Sequence, residues 1–252
     1  MTIQACADLV ARGDPDRFRA TMAAPVSARR VLFPIYAFAL EVSRAPWVTE
    51  VPMIAEMRLQ WWRDVCEEIE AGKPPRAHEV VGPLSDVLTP SGAKALDQLV
   101  AMRRWDIYKD PFEDSDHFSA YLTATGGGIL WAGMSAMGVD NNLKPAVDRF
   151  GYGLALSRFL VAVPELEARG RIPLVDGRSK SIADMAKSAL DDMRSARHDL
   201  NGAPKAPIIE AWMAAPVLEL AARHPASVGE GRLHFSDLRS SWRLLRAAYG
   251  VL

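Results

Sequence analysis

An all-α fold is what this sequence predicts, and two observations carry the prediction. Apolar residues recur at spacings of three and four along most of the chain, and long alternating runs of the β type are nearly absent. With 252 residues, 49% of them apolar and 24% charged, the chain can bury a substantial core. None of the gaps between helical segments has the composition of an interdomain linker, so residues 1–252 are expected to form one helical domain.

The elements follow in order. In VSARRVLFPIYAFALEV, Val31, Ile35, Phe38 and Val42 share a face, with Ser27 as the N-cap and Pro34 as a kink or irregular start. A second helix is expected from near Pro52 past Ile69. Its apolar stripe is Met53, Met57, Trp61, Val65 and Ile69, and Trp62 turns toward different packing. Gly72, Pro74 and Pro75 stop it, and residues 71–90 form a connection with room for a short helix. SGAKALDQLVAMRRWDIYK then predicts a helix with Ala95, Leu99 and Met102 inward. HFSAYLTATGGGILWAGMSAMG predicts another, whose small residues permit close crossings while three consecutive glycines weaken its helicity. VDRFGYGLALSRFLVAVPEL, SIADMAKSALDDMRSARHDL and IIEAWMAAPVLELAARH follow, the last interrupted by Pro216. A final helix is capped by Ser236 and striped by Leu238, Trp242, Leu245 and Ala248.

Composition excludes several function classes. Thirty basic residues against 31 acidic ones leave no overall excess that would draw the chain to nucleic acid. Cys6 and Cys66 form neither a CxxC pair nor a disulfide framework. The first residues lack the basic-then-apolar pattern of a secretory signal, and no run is long and apolar enough to span a bilayer. A cytoplasmic protein, with peripheral contact to a membrane left open, is the expectation. The five histidines are dispersed; His117 with Asp114 or Asp116 reads as a loop that caps the following helix rather than a metal site. GYG and TGGG lack the spacing of a phosphate loop.

The run LFPIYAFALEV, then EMRLQWWRD, then YLTATGG, GYGLALSRFL and EARGRIPL, resembles the squalene/phytoene synthase family, in the family's order and over residues 16–200. The resemblance implies an isoprenoid-synthase-like helical fold around a central cavity. Active members join isoprenoid diphosphates and hold Mg²⁺ on two aspartate-rich helix faces. The chemistry demands this, because a hard cation requires oxygen ligands and a departing diphosphate requires compensating positive charge. Matching the family pattern places the ligand aspartates of the first motif at Ser43 and Trp47, with Arg44 between them. The Asn and principal Asp of the second match Leu160 and Pro164, and Pro164 disfavours uninterrupted helix there. Both acidic platforms are missing.

Acid-poor members of this family are associated with assembly of respiratory complex I. The resemblance therefore implies a noncatalytic assembly or scaffold protein whose partners are complex I subunits or assembly intermediates, at the inner membrane's periphery, with retained binding of a prenyl lipid as a supplement. No cofactor or metal is expected. Mg²⁺ enters only under the alternative of a divergent prenyl-diphosphate transferase using Glu41, Glu165 or Glu167; a lipid-binding module is a further alternative. The cleft or ligand-binding candidates are Tyr36, Glu56, Gln60, Arg63, Asp106, Tyr121 and Arg171, each with a structural role as the competing reading. Arg239, Arg243 and Arg246 beside the last stripe are expected as a charged flank of a core-packed helix, with contact to lipid phosphates as the alternative.

Overall fold

A computed structural model describes residues 2–249. Among them no strand occurs, and the helices are α1 (Ile3–Gly13), α2 (Pro15–Ala23), α3 (Val26–Arg44), α4 (Pro52–Glu70), α5 (Val81–Ser85), α6 (Pro90–Met102), α7 (Ser115–Leu122), α8 (Gly128–Ala136), α9 (Lys144–Ala168), α10 (Ser179–Asp199), α11 (Ala214–Arg223), α12 (Ala226–Gly229) and α13 (Asp237–Ala248).

Starts and stops follow local chemistry. Proline occupies the first turn of α2, α4, α6 and α9, where its missing N–H would have had no helical partner. Asp14, Thr89 and Asp114 accept from backbone amides at the starts of α2, α6 and α7. For Asp114 the donor is the amide of His117, which is the capping role expected of that loop. Gly72 and Gly170 adopt positive φ just beyond α4 and α9, a region closed to most other residues.

Two apolar clusters hold the helices together. One is built mainly from α1, α3, α4, α5 and α6, the other from α7, α9, α10 and α11. α8 serves both: Ile129 and Ala132 face the first, Leu130, Trp131 and Met134 the second. The segment expected as one helix over residues 117–138 is two helices joined by a π turn, Thr123–Gly127. There the glycines have a geometric task. A Cβ on Gly126 would lie 2.2 Å from the Gly151 carbonyl oxygen, and one on Gly151 would lie 2.3 Å from Gly127 Cα. TGGG and GYG thus let the π turn press directly on α9.

Several expectations need correction. The residue before α3 is Pro25, so Ser27 lies inside the helix, and Pro34 is accommodated within it. The buried face of α4 is Ala55, Leu59, Trp62, Val65, Cys66 and Ile69, whereas Met53 and Met57 are exposed. Trp62, 4% exposed, packs edge-on against Phe38, and half-buried Trp61 leans on Trp62 and His78. The tryptophan pair is a seam to α3 with its roles exchanged. α9 runs unbroken through Pro164 to Ala168. On α13 the expected core stripe faces outward: Leu238, Trp242 and Leu245 are exposed, and Ala247 is buried instead.

Candidate ligand cleft

A cleft of about 600 Å³ opens between α3 on one side and α9 on the other. Apolar Leu40, Leu122, Leu154, Phe159 and Leu166 contribute to its wall, as do five arginines, Arg17, Arg44, Arg103, Arg158 and Arg169.

The floor is an ion cluster. The short 3-10 turn Pro207–Ala211 carries Glu210, whose side chain is 1% exposed. Its Oε2 accepts from Arg17 Nε at 2.8 Å and faces Arg158 Nη1 at 3.2 Å. Arg17, in the first turn of α2, also meets Asp14 at 3.2 Å and places its guanidinium 5.3 Å from the Tyr36 ring centroid. Burial alone would lower the Arg17 pKa, but Glu210 and Asp14 hold it above its usual range. Tyr36 is pushed well above the ordinary phenol value, by burial first and the Glu210 charge second. Burial raises Asp14, yet Arg17, Arg158 and the Arg17 amide outweigh it and leave this carboxyl below its usual range.

One wall is a second polar cluster. The 3-10 turn Arg103–Asp106 prolongs α6 and buries Asp106. Arg103 Nη1 donates to Asp106 Oδ2 and to the Tyr121 hydroxyl, both at 2.9 Å, and that hydroxyl donates to Asp106 Oδ1 at 3.0 Å. Burial drives Tyr121 far up, so it remains a neutral donor. Arg171, from the turn after α9, donates to the carbonyls of Trp105 and Asp106 and lies 4.5 Å over the Trp105 ring. Trp105 stacks on Phe112 at 4.0 Å, backing the wall with aromatic rings.

At the rim, Ser43, Arg44 and Trp47 face α9. The Ser43 hydroxyl donates to the Leu40 carbonyl at 2.8 Å, and Arg169 lies 4.7 Å over the Trp47 ring. The face that α9 turns to the cleft carries Arg158, Ala162, Glu165 and Leu166, with Arg169 just past its end. Leu160 and Pro164 are out of phase with it. Leu160 is fully buried in the core, and Pro164 lies against Gly231. The residues in phase carry one acid, Glu165, and it is paired with Arg169.

A divalent cation does not fit this donor set. The acids lining the cleft are Asp14, Asp106 and Glu165, and each is already paired with an arginine, Arg17, Arg103 and Arg169 respectively. Among the described residues no three His, Cys, Asp or Glu side chains gather as metal ligands. Glu41 lines a different hollow with Arg44, Trp61 and His78, and Glu167 lies in another beside Arg171.

Of the residues singled out from the sequence, Asp106 and Tyr121 line the cleft, Tyr36 backs its floor and Arg171 braces its wall from behind. Glu56, Gln60 and Arg63 do not reach it. Glu56 accepts from Arg104 at 2.9 Å and Tyr108 at 2.7 Å, Gln60 donates to Asp64, and Arg63 forms a two-pronged pair with Asp97 on α6. The polar side of α4 is thus spent on one tie to α6, one to the segment that follows α6, and one contact within α4 itself. Arg17, Arg158 and Glu210 escaped notice because Arg17 and Glu210 are 193 positions apart. The one local signal was Arg158 within GYGLALSRFL, a charge on an otherwise apolar run.

Comparison with known proteins identifies the family and the fold. The family model for squalene/phytoene synthase matches residues 10–175. A Drosophila melanogaster protein described as a homolog of NADH dehydrogenase (ubiquinone) complex I, assembly factor 6, is 26% identical over 177 residues, which cover 68% of this chain and 53% of the relative. The chain therefore spans about half the length of that curated relative. Among solved structures, a dehydrosqualene synthase in complex with ligand superposes with a TM-score of 0.77 at 13% identity, covering 99% of this chain and 96% of the other. The squalene synthase HpnC from Alicyclobacillus acidocaldarius gives 0.69 at 12% identity, covering 89% and 94%. The fold is thus of the isoprenoid-synthase type, as the sequence led one to expect.

Proposed function

The chain belongs to the squalene/phytoene synthase family, and we propose that it is a noncatalytic member that assists assembly of respiratory complex I. The observation that carries this reading is the cleft rim. Where two facing carboxylate platforms would be required for a metal-bound diphosphate, the rim offers Ser43, Arg44 and Trp47 opposite Arg158, Ala162, Leu166 and a single carboxylate, Glu165, which is already paired with Arg169. The complex I partnership rests on the likeness to the fly assembly-factor homolog.

In a strain lacking the gene, assembled complex I resolved on native gels is expected to fall while the other respiratory complexes persist. Unchanged complex I during respiratory growth would sink the assignment. Incubation of the purified chain with short and long prenyl diphosphates and Mg²⁺ tests the noncatalytic part, and metal-dependent turnover would overturn it.

The apolar wall favours a supplementary reading, retention of a prenyl lipid. Leu40, Leu122, Leu154, Phe159 and Leu166 offer a chain of methylenes a dry contact, and the arginines would meet an anionic head directly. Native mass spectrometry of the freshly purified chain is expected to show such an adduct, and a consistently empty protein counts against it.

A further inference from the structure

α13 does not behave as a core helix. Leu238 is 83% exposed, Trp242 61%, Leu245 48% and Tyr249, at its C-terminal end, 80%. At about 100° per residue these four fall within roughly 60° of arc. Arg239, Arg243 and Arg246 fall together in the adjoining arc. The opposite side does the packing: Ala247 is buried, Leu244 lies against the core, and Ser241 accepts from Arg19 on α2 at 3.0 Å. The helix is therefore seated by one side and presents an apolar ridge bordered by a file of guanidiniums. Between α2 and α13 the surface is grooved, lined by Arg19 and Ala23 on one side and by Leu244, Leu245 and Tyr249 on the other.

None of the three arginines has a carboxylate partner among the described residues. Glu219, the acid acting on Arg243, is committed to Arg194 at 2.8 Å. Asp237, the acid of α13 itself, lies at the helix start and far around from the file.

We propose that α13 is a peripheral anchor that lies flat on an anionic phospholipid bilayer, its Leu238–Trp242–Leu245–Tyr249 ridge inserted among the acyl chains' upper methylenes and Arg239, Arg243 and Arg246 on lipid phosphates. Charge complementarity selects this occupant. Trp and Tyr on the ridge suit the headgroup level, and an apolar stripe flanked by arginines is the arrangement that interfacial helices use. A second copy packed antiparallel on the ridge would bring two arginine files together, which like charges oppose. The helix is an anchor and not a span, since among the described residues no helix is long and apolar enough to cross a membrane. Binding to lipid alone requires no assembly partner, so this inference stands apart from the complex I reading.

The test is co-flotation of the purified full chain with vesicles of phosphatidylcholine alone, or of phosphatidylcholine mixed with phosphatidylglycerol. The wild type is expected to float with the mixed vesicles, to be released by high salt, and to stay behind with the neutral ones. Arg239→Gln, Arg243→Gln and Arg246→Gln combined are expected to weaken binding about a hundredfold. Leu238→Ser with Trp242→Ser is expected to abolish it at any salt concentration. All these side chains lie outside the core, and circular dichroism melting confirms that each variant is folded. No flotation of the wild type, equal flotation with both vesicle types, or variants that float like the wild type would each overturn the proposal. So would an α13-dependent complex with a protein partner that forms without lipid.

Discussion

At the cleft floor Arg17 and Arg158 converge on one buried carboxylate, Glu210, whereas on α13 Arg239, Arg243 and Arg246 make no salt bridge among the described residues. The residue type is the same and the electrostatic situation is opposite. A guanidinium enclosed by protein must carry its counter-ion inside the fold, because an uncompensated buried charge costs several kcal/mol. A guanidinium facing water is free to keep its charge for something outside. The floor arginines are thus expected to matter for stability, and the α13 arginines for what the molecule touches.

That contrast breaks most easily at Glu210. Replacing it by Gln leaves buried Arg17 with Asp14 as its remaining acid and takes the carboxylate from half-buried Arg158, and urea unfolding is expected to register a loss of about 3 kcal/mol. A loss below about 1 kcal/mol would mean the floor is solvated and the contrast is false. Asp106→Asn comes next: it turns an acceptor shared by Arg103 and Tyr121 into a weaker, half-donating group. About 1.5–3 kcal/mol is expected in the same measurement.

Acid sharpens the comparison at Asp14. Its carboxyl is below the usual value in the folded chain, so the stability it contributes is fully present above the ordinary 3.8 and is lost as the pH falls through the depressed folded value. Comparing urea midpoints at neutral pH and in acid, Asp14→Asn should lose less on acidification than the wild type while retaining the cap of α2. A variant whose midpoint drops as far as the wild type's would remove Asp14 from the acid response. The smallest effect belongs to α13, where converting the three arginines to Gln is expected to change unfolding stability by no more than about 0.5 kcal/mol. A large destabilisation there would make α13 part of the core after all.

The fold class was legible because helical periodicity is local, but which face points inward was not. On α4 both Met53–Met57–Trp61 and Ala55–Leu59–Trp62 satisfy the helical period, and only packing against Phe38 selects the second. On α13 periodicity identified an apolar stripe correctly and could not say that nothing covers it. The acid-poor rim was legible at Ser43 and Trp47, which do line the cleft. At Leu160 and Pro164 it was displaced along α9 by half a turn or so, since helix phase relative to the cleft is set by neighbours such as the π turn crossing at Gly151. Glu56, Gln60 and Arg63 looked like a ligand-facing set because polar residues on one helix side are ambiguous until their partners, here Arg104, Asp64 and Asp97, are known.

Arg171 joins the turn after α9 to carbonyls of Trp105 and Asp106 at the end of α6, 66 and 65 positions earlier, while its plane rests on Trp105. Neither segment can open without orphaning the same guanidinium. In hydrogen-exchange terms the amides around residues 103–107 and those around residues 166–171 are expected to behave as one cooperative unit, with similar protection that is lost together.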